Sequence, residues 1–231
     1  MIWFNKISSD DIGVIVEKFP SRPIPRRKSE TVSVPGRNGD ILFQQNAFEN
    51  VTQNYDIYVS AKDVKLHNIA AKVAQWLLQT GYLRLEDSYE PDVFRMAYYS
   101  GGIDIENLLD EYGRCTITFT CRPERYLKSG EYPVTLAKNQ VLINPTSYPA
   151  KPLIKVSGSG DGHLFVGDNE IALTGINGYL VIDSDIMDCY KGSENCNSKM
   201  TGEFPMLSGI TPFAWNGNIT GVEVTPRWYT I

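Results

Sequence analysis

Two histidines, four cysteines and one close-set run of acids are the residues of this 231-residue chain whose types suggest covalent, metal or acid–base chemistry. Asp183, Asp185, Asp188 and Glu194 could serve as paired carboxylates of a glycosidase or as oxygen ligands for calcium, since both need acids that converge on one point. A calcium loop wants glycine at its sixth place and glutamate at its twelfth; counted from Asp183 these places hold Asp188 and Glu194, so a solvated polar loop is the better reading. Nucleophilic catalysis needs a base beside a serine or cysteine, and neither His67 nor His163 is accompanied by a Gly-x-Ser-x-Gly elbow. The cysteine pairs Cys115/Cys121 and Cys189/Cys196 are spaced too widely for tight zinc knuckles. They read as reduced thiols of a chain made in the cytoplasm, although Cys189 and Cys196 flank what looks like a loop and could approach each other. Gly158-Ser159-Gly160-Asp161-Gly162 is rich enough in glycine to cradle phosphate, but strand-like His163-Leu164-Phe165-Val166 follows it where a phosphate loop requires a helix. A hairpin turn is expected there. No catalytic residue, metal or cofactor emerges, and the chain is not expected to be an enzyme.

The elements that would have to position any site are mostly strands. Apolar residues make up 42% of the chain and charged residues 21%, so there is enough to bury for one large domain or two small ones. A formal net charge of −5 argues against bulk attraction to phosphate backbones. The N-terminus lacks the features of a secretion signal, and the most apolar stretch, Ile69 to Leu78, falls well short of about 20 residues, so no membrane partner is expected. One helix is legible, Asp63 to Thr80, with Asp63 as cap, Val64, Ile69, Val73, Trp76 and Leu77 at three-and-four spacing and Gly81 just past its end. Cys115, Ile117, Phe119 and Cys121 alternate with threonines, the pattern of a half-buried antiparallel strand; Tyr55, Ile57 and Val59 predict another. After about Val134 only strands and turns are visible, among them Leu153–Val156, His163–Val166, Glu170–Leu173, Gly178–Asp183 and Gly221–Thr225. Prolines 133, 145, 149 and 152 cluster at the change. The expected division is 1–132 and 133–231, a mostly β (α+β) protein whose second part is a β-sandwich.

One stretch has the chemistry of a projecting contact. In Val34-Pro35-Gly36-Arg37-Asn38-Gly39-Asp40-Ile41 the glycines permit positive backbone dihedrals and Pro35 stiffens the approach, so the segment should project as a hairpin with Arg37 free for a charge-assisted bond to a neighbour. Val34, Pro35, Gly36, Arg37, Gly39, Asp40 and Ile41 are the candidate self-association residues. The basic run Arg22, Arg26, Arg27 and Lys28, interleaved with Pro23 and Pro25, is short and reads as a solvated or subunit-facing loop.

The same Val34–Ile41 motif, followed by a strand and a single helix, resembles the first domain of the distal tail proteins of long, non-contractile-tailed phages and prophages. Phe119 to Tyr126, with its Cys121-Arg122-Pro123-Glu124-Arg125-Tyr126, resembles that domain's closing strand. Asn144 to Gly160, with Tyr148-Pro149-Ala150-Lys151-Pro152, resembles the opening of the second domain. Tyr179-Leu180-Val181-Ile182-Asp183, Gly202-Glu203-Phe204-Pro205 with Leu207, and Gly217-Asn218 to Arg227-Trp228 resemble its later strands and its end. The resemblance implies a β-sandwich-like ring domain with one helix, then a galectin-like β-sandwich without room for the carbohydrate-binding insertion the family often carries. It further implies a structural virion protein at the tail tip: a homo-hexameric hub between the tail tube protein and the tail-tip hub or tail-associated lysin, in contact with receptor-binding proteins. DNA would pass through its lumen without specific binding. A small carbohydrate-binding module is the alternative, because galectin-like sandwiches bind sugars.

Overall fold

Period-two alternation dominates the sequence, and the chain is built accordingly from strands. A computed structural model describes residues 1–60, 66–102, 106–109 and 112–231; for 60, 66–68, 106–109 and 112 only the backbone is described. The chain falls into two units, Met1–Arg125 with the terminal Ile231, and Tyr126–Thr230.

In the first unit the strands are β1 (Ile2–Phe4), β2 (Ile7–Ser8), β3 (Val14–Val16), β4 (Arg27–Val32), β5 (Ile41–Phe48), β6 (Val51–Ser60), β7 (Leu83–Asp87), β8 (Val93–Tyr99), β9 (Glu106–Leu109) and β10 (Tyr112–Leu127). The main sheet runs β2-β1-β7-β8-β10-β6-β3, with β9 also on β10. Ten residues of β6 pair in register with β10, from Val51↔Cys121 to Ser60↔Tyr112. The alternation read in the sequence puts Ile117, Phe119 and Cys121 in the core, with Cys115 packed at its margin. The helix α1 (Leu66–Leu77) lays Ile69, Val73, Trp76 and Leu77 against this sheet. Full burial of such side chains contributes about 1.5–3 kcal/mol each. Trp76 brings a polar edge into the core, and its indole N–H is satisfied by the Phe4 carbonyl at 3.2 Å. The expected helix start at Asp63 and Val64, and the His67 side chain, lie outside the described residues. The helix ends at Leu77 and not at the expected Thr80, so Gly81, with φ +81°, turns the chain four residues past the helix and does not cap it.

The second unit contains β11 (Val134–Leu136), β12 (Val141–Ile143), β13 (Leu153–Val166), β14 (Asn169–Asp183), β15 (Asp188–Lys191), β16 (Glu194–Asn195), β17 (Met200–Thr201), β18 (Ile210–Thr225) and β19 (Tyr229–Thr230). It is mostly β, as expected, with curled, sandwich-like sheets, but the glycine stretch is not the hairpin turn that was expected. Residues 153–166 form one continuous strand whose register shifts between Gly160 and Gly162. The physical reason is close backbone approach. A Cβ on Gly158 would stand 2.4 Å from the Asn218 carbonyl oxygen, and one on Gly162 would stand 2.8 Å from that of Asn216. Glycine inside a strand marks such bulges and close approaches as readily as it marks turns. Glu170–Leu173 and Gly178–Asp183 are likewise parts of one strand, β14, in which Gly175 and Gly178 take positive φ of +59° and +81° with open space around them, and Gly221–Thr225 is the end of β18.

Three long strands therefore supply both layers of the unit. On one side of the crease the order is β11-β18-β13-β14-β15-β16; on the other, β18 pairs with β12 and β14 with β17. Ile154, Val156, Leu180, Ile182, Val222 and Val224, paired on one side of the register shift in β13, share one core with Leu164, Val166, Ile171, Leu173, Phe213 and Trp215 on the other.

Candidate self-association surface

The antiparallel pair β4–β5 forms a sheet of its own, off the main sheet. Its strands are joined through residues 33–40, with Val32 opposite Ile41. The Arg37 amide donates to the Val34 carbonyl at 3.1 Å, closing a turn with Pro35 second and Gly36 third at φ +81°. Those positions and that dihedral are the requirements of a type II turn. Gly39 supplies a second positive φ of +76°, and nothing lies within 4 Å of a Cβ built on either glycine. The sequence-predicted residues 34–41 are thus brought together on one projecting tip. The side chains of Arg37 and Asp40 are exposed there and have no hydrogen-bond or ion-pair partner among the described residues.

Sequence reasoning overlooked the stem of this hairpin. Val32 is 46% exposed, Leu42 54% and Phe43 56%. The register places Val32, Ile41 and Phe43 on one face with Glu30, and Leu42 on the other with Thr31. The signal was present as Ile41-Leu42-Phe43: three consecutive apolar residues in a strand must put apolar surface on both faces, which a strand resting on one core has no use for.

The basic run at the base of the hairpin is partly occupied. Arg27 stacks over Phe48, 4.9 Å from the ring centroid, and Arg22 lies 3.6 Å from Glu90, which also receives Arg125. Arg26 and Lys28 remain exposed.

The acids weighed for catalysis or calcium do not converge. Asp183 is held in a bidentate pair by Arg227, at 2.6 and 3.0 Å, and also accepts the Asp185 amide. Burial alone would raise its pKa, but the Arg227 hydrogen bonds, the backbone amides and the Arg227 charge carry it below the ordinary carboxylate value. Asp185 reaches Lys151 at 3.2 Å, Asp188 accepts from Asn195 and Asn197, and Glu194 faces Lys199 at 3.6 Å. Four acids with four different sets of partners make a braced loop. No group of three potential metal ligands occurs among the described residues. His163 pairs at the surface with Glu170, at 2.8 Å. Burial pushes the thiols of Cys115 up to about 11 and of Cys121 to about 12, far from a reactive thiolate.

Residues 9–121, nearly the whole of the first unit, match the family model described as a phage tail protein RIFT-related domain. The whole chain has the fold of a distal tail protein: it superposes on the crystal structure of the Dit (gp 19.1) protein of phage SPP1 with a TM-score of 0.78 at 12% identity, covering 100% of this chain and 98% of that one. That protein is described as a paradigm of the hub adsorption apparatus in phages infecting Gram-positive bacteria. Comparison with curated proteins gives no match. The resemblance read in the sequence to siphophage distal tail proteins stands on both findings.

Proposed function

We propose that this chain is a non-enzymatic structural protein of the phage virion, six copies of which close into a ring at the distal end of the tail. The observation that carries the reading is the combination of a phage tail domain over residues 9–121 with a distal-tail-protein fold over the full chain. The ring joins the tail tube protein on one side to the tail-tip hub or lysin on the other, and the second unit faces receptor-binding proteins. The chain is made in the bacterial cytoplasm and works in the virion tail tip.

A closed ring needs two different surfaces on each subunit that meet heterologously. The β4–β5 hairpin supplies one of them, with Val34, Pro35, Gly36, Arg37, Gly39, Asp40 and Ile41 at its tip and Val32, Leu42 and Phe43 along its stem. Those stem residues are already about half covered, so burying the rest of each returns about half of the 1.5–3 kcal/mol of a full burial. Light scattering of the purified full chain, alone and with its tail tube protein, is the test. A sixfold mass is expected at high concentration; strict monomers under both conditions would overturn the ring.

A further inference from the structure

Cys189 and Cys196 lie in an edge hairpin of the second unit and take no part in the proposed assembly. The ladder of β15 and β16 pairs Tyr190 with Asn195 and Lys191 with Glu194. One step further the same register sets Cys189 directly opposite Cys196, and the Cys196 amide donates to the Cys189 carbonyl at 2.7 Å. Directly opposed residues of an antiparallel pair point to the same face, with Cα atoms about 4.5–5.5 Å apart, inside the 4.4–6.8 Å that a disulfide spans. Both side chains are fully buried and both are free thiols in the structure. Burial first, then the neighbouring Cys196, push the Cys189 thiol up to about 11.

We infer that Cys189 and Cys196 are an oxidation site, reduced when the chain is made and joined as an intramolecular disulfide once the protein meets small-molecule disulfides outside the cell. The reaction is ordinary thiol–disulfide exchange. The thiolate of one cysteine attacks a sulfur of oxidised glutathione and releases one glutathione thiolate. The second cysteine, deprotonated, then attacks the mixed disulfide, forming the Cys189–Cys196 bond and releasing the second glutathione. Two cysteine thiols are oxidised and one glutathione disulfide is reduced to two thiols, with two protons passing from protein to glutathione. Access comes from local opening, because β16 is a two-residue edge strand with exposed side chains. The other pair is an internal control: Cys115 and Cys121 stand six residues apart on the core face of one strand, about 20 Å at 3.3 Å per residue, and cannot bridge.

The test is incubation of the native full chain with excess oxidised glutathione, then alkylation in denaturant, intact mass and peptide mapping. The freshly purified reduced protein should show four reactive thiols. The oxidised sample should show two, a mass lower by two hydrogens, and a cross-linked peptide joining Cys189 to Cys196, with near-ultraviolet circular dichroism unchanged. Cys196→Ser should stop at a single glutathione adduct on Cys189. Four thiols persisting after long incubation at mildly alkaline pH, stable glutathione adducts on the wild-type pair, or a bridge involving Cys115 or Cys121 would each overturn the assignment.

Discussion

At the scale of single residues, the two most telling side chains are Asp183 and Arg95. The Asp183–Arg227 pair is bidentate, and Asp183 is the almost fully buried partner, so charge-assisted hydrogen bonds are strong there. Asp183→Asn should cost about 1.5–3 kcal/mol in chemical unfolding, the worth of hydrogen bonds to a charged group. Because the folded pKa is depressed, the stabilisation is complete above the ordinary carboxylate pKa of about 3.9. It is lost as pH falls through the lower, folded value. A stability difference between wild type and Asp183→Asn that fails to shrink as pH falls below 4 would contradict this account. Arg95 makes the opposite case. It is 7% exposed, and its Nη1 has no hydrogen-bond partner among the described residues. Burial, and then the neighbouring Arg125, hold its pKa below the usual arginine value. A buried charged donor without an acceptor is expensive, so Arg95→Met, similar in length and apolar, should leave stability unchanged or raise it. A loss of more than about 2 kcal/mol would mean that the guanidinium has a compensating contact.

At the scale of elements, glycine does two different jobs that measurement can separate. Gly158 sits where a Cβ would meet a carbonyl oxygen at 2.4 Å, whereas Gly36 stands in open space and is constrained only by φ +81°. Gly158→Ala should therefore destabilise the second unit severely, by 3 kcal/mol or more on the scale of forced overpacking. Gly36→Ala should cost only about 1–2 kcal/mol, the strain of a left-handed alanine, and should act on the hairpin alone. Equal losses from both would refute the crease. The same contrast explains what was readable in advance. The helix and the strand carrying Cys115, Ile117, Phe119 and Cys121 were legible because each faces one core and its period shows. The tip of the β4–β5 hairpin was legible from Pro35, Gly36 and Gly39, because turn chemistry is local. The continuity of β13 was not, because the atoms that demand glycine belong to Asn216 and Asn218, more than fifty residues away. The apolar stem escaped notice because Leu42 and Phe43 look like core until it is known that no core lies beneath them.

At the scale of the whole molecule, the proposed ring of six is what substitution can test. Exposed ion pairs contribute about 0–1 kcal/mol each, so Arg37→Ala with Asp40→Ala should weaken the hexamer modestly and most visibly at low salt. Leu42→Ser with Phe43→Ser removes apolar area and should shift hexamer to monomer outright, with circular dichroism and melting of each unit preserved. A hexamer unaffected by all four changes would move the subunit contact away from the hairpin.

The shared strands of the second unit also set a schedule for synthesis. In the strand order β18 lies between β11 and β13, yet it is translated well after both. At roughly 5–20 residues per second, β13 and β14 emerge from the ribosome and wait seconds with one long edge unpaired. An open strand edge is an invitation to pair with another nascent chain. On a polysome, where identical chains grow side by side, the safest course is for this unit to stay unfolded until β18 arrives and then to close in one step.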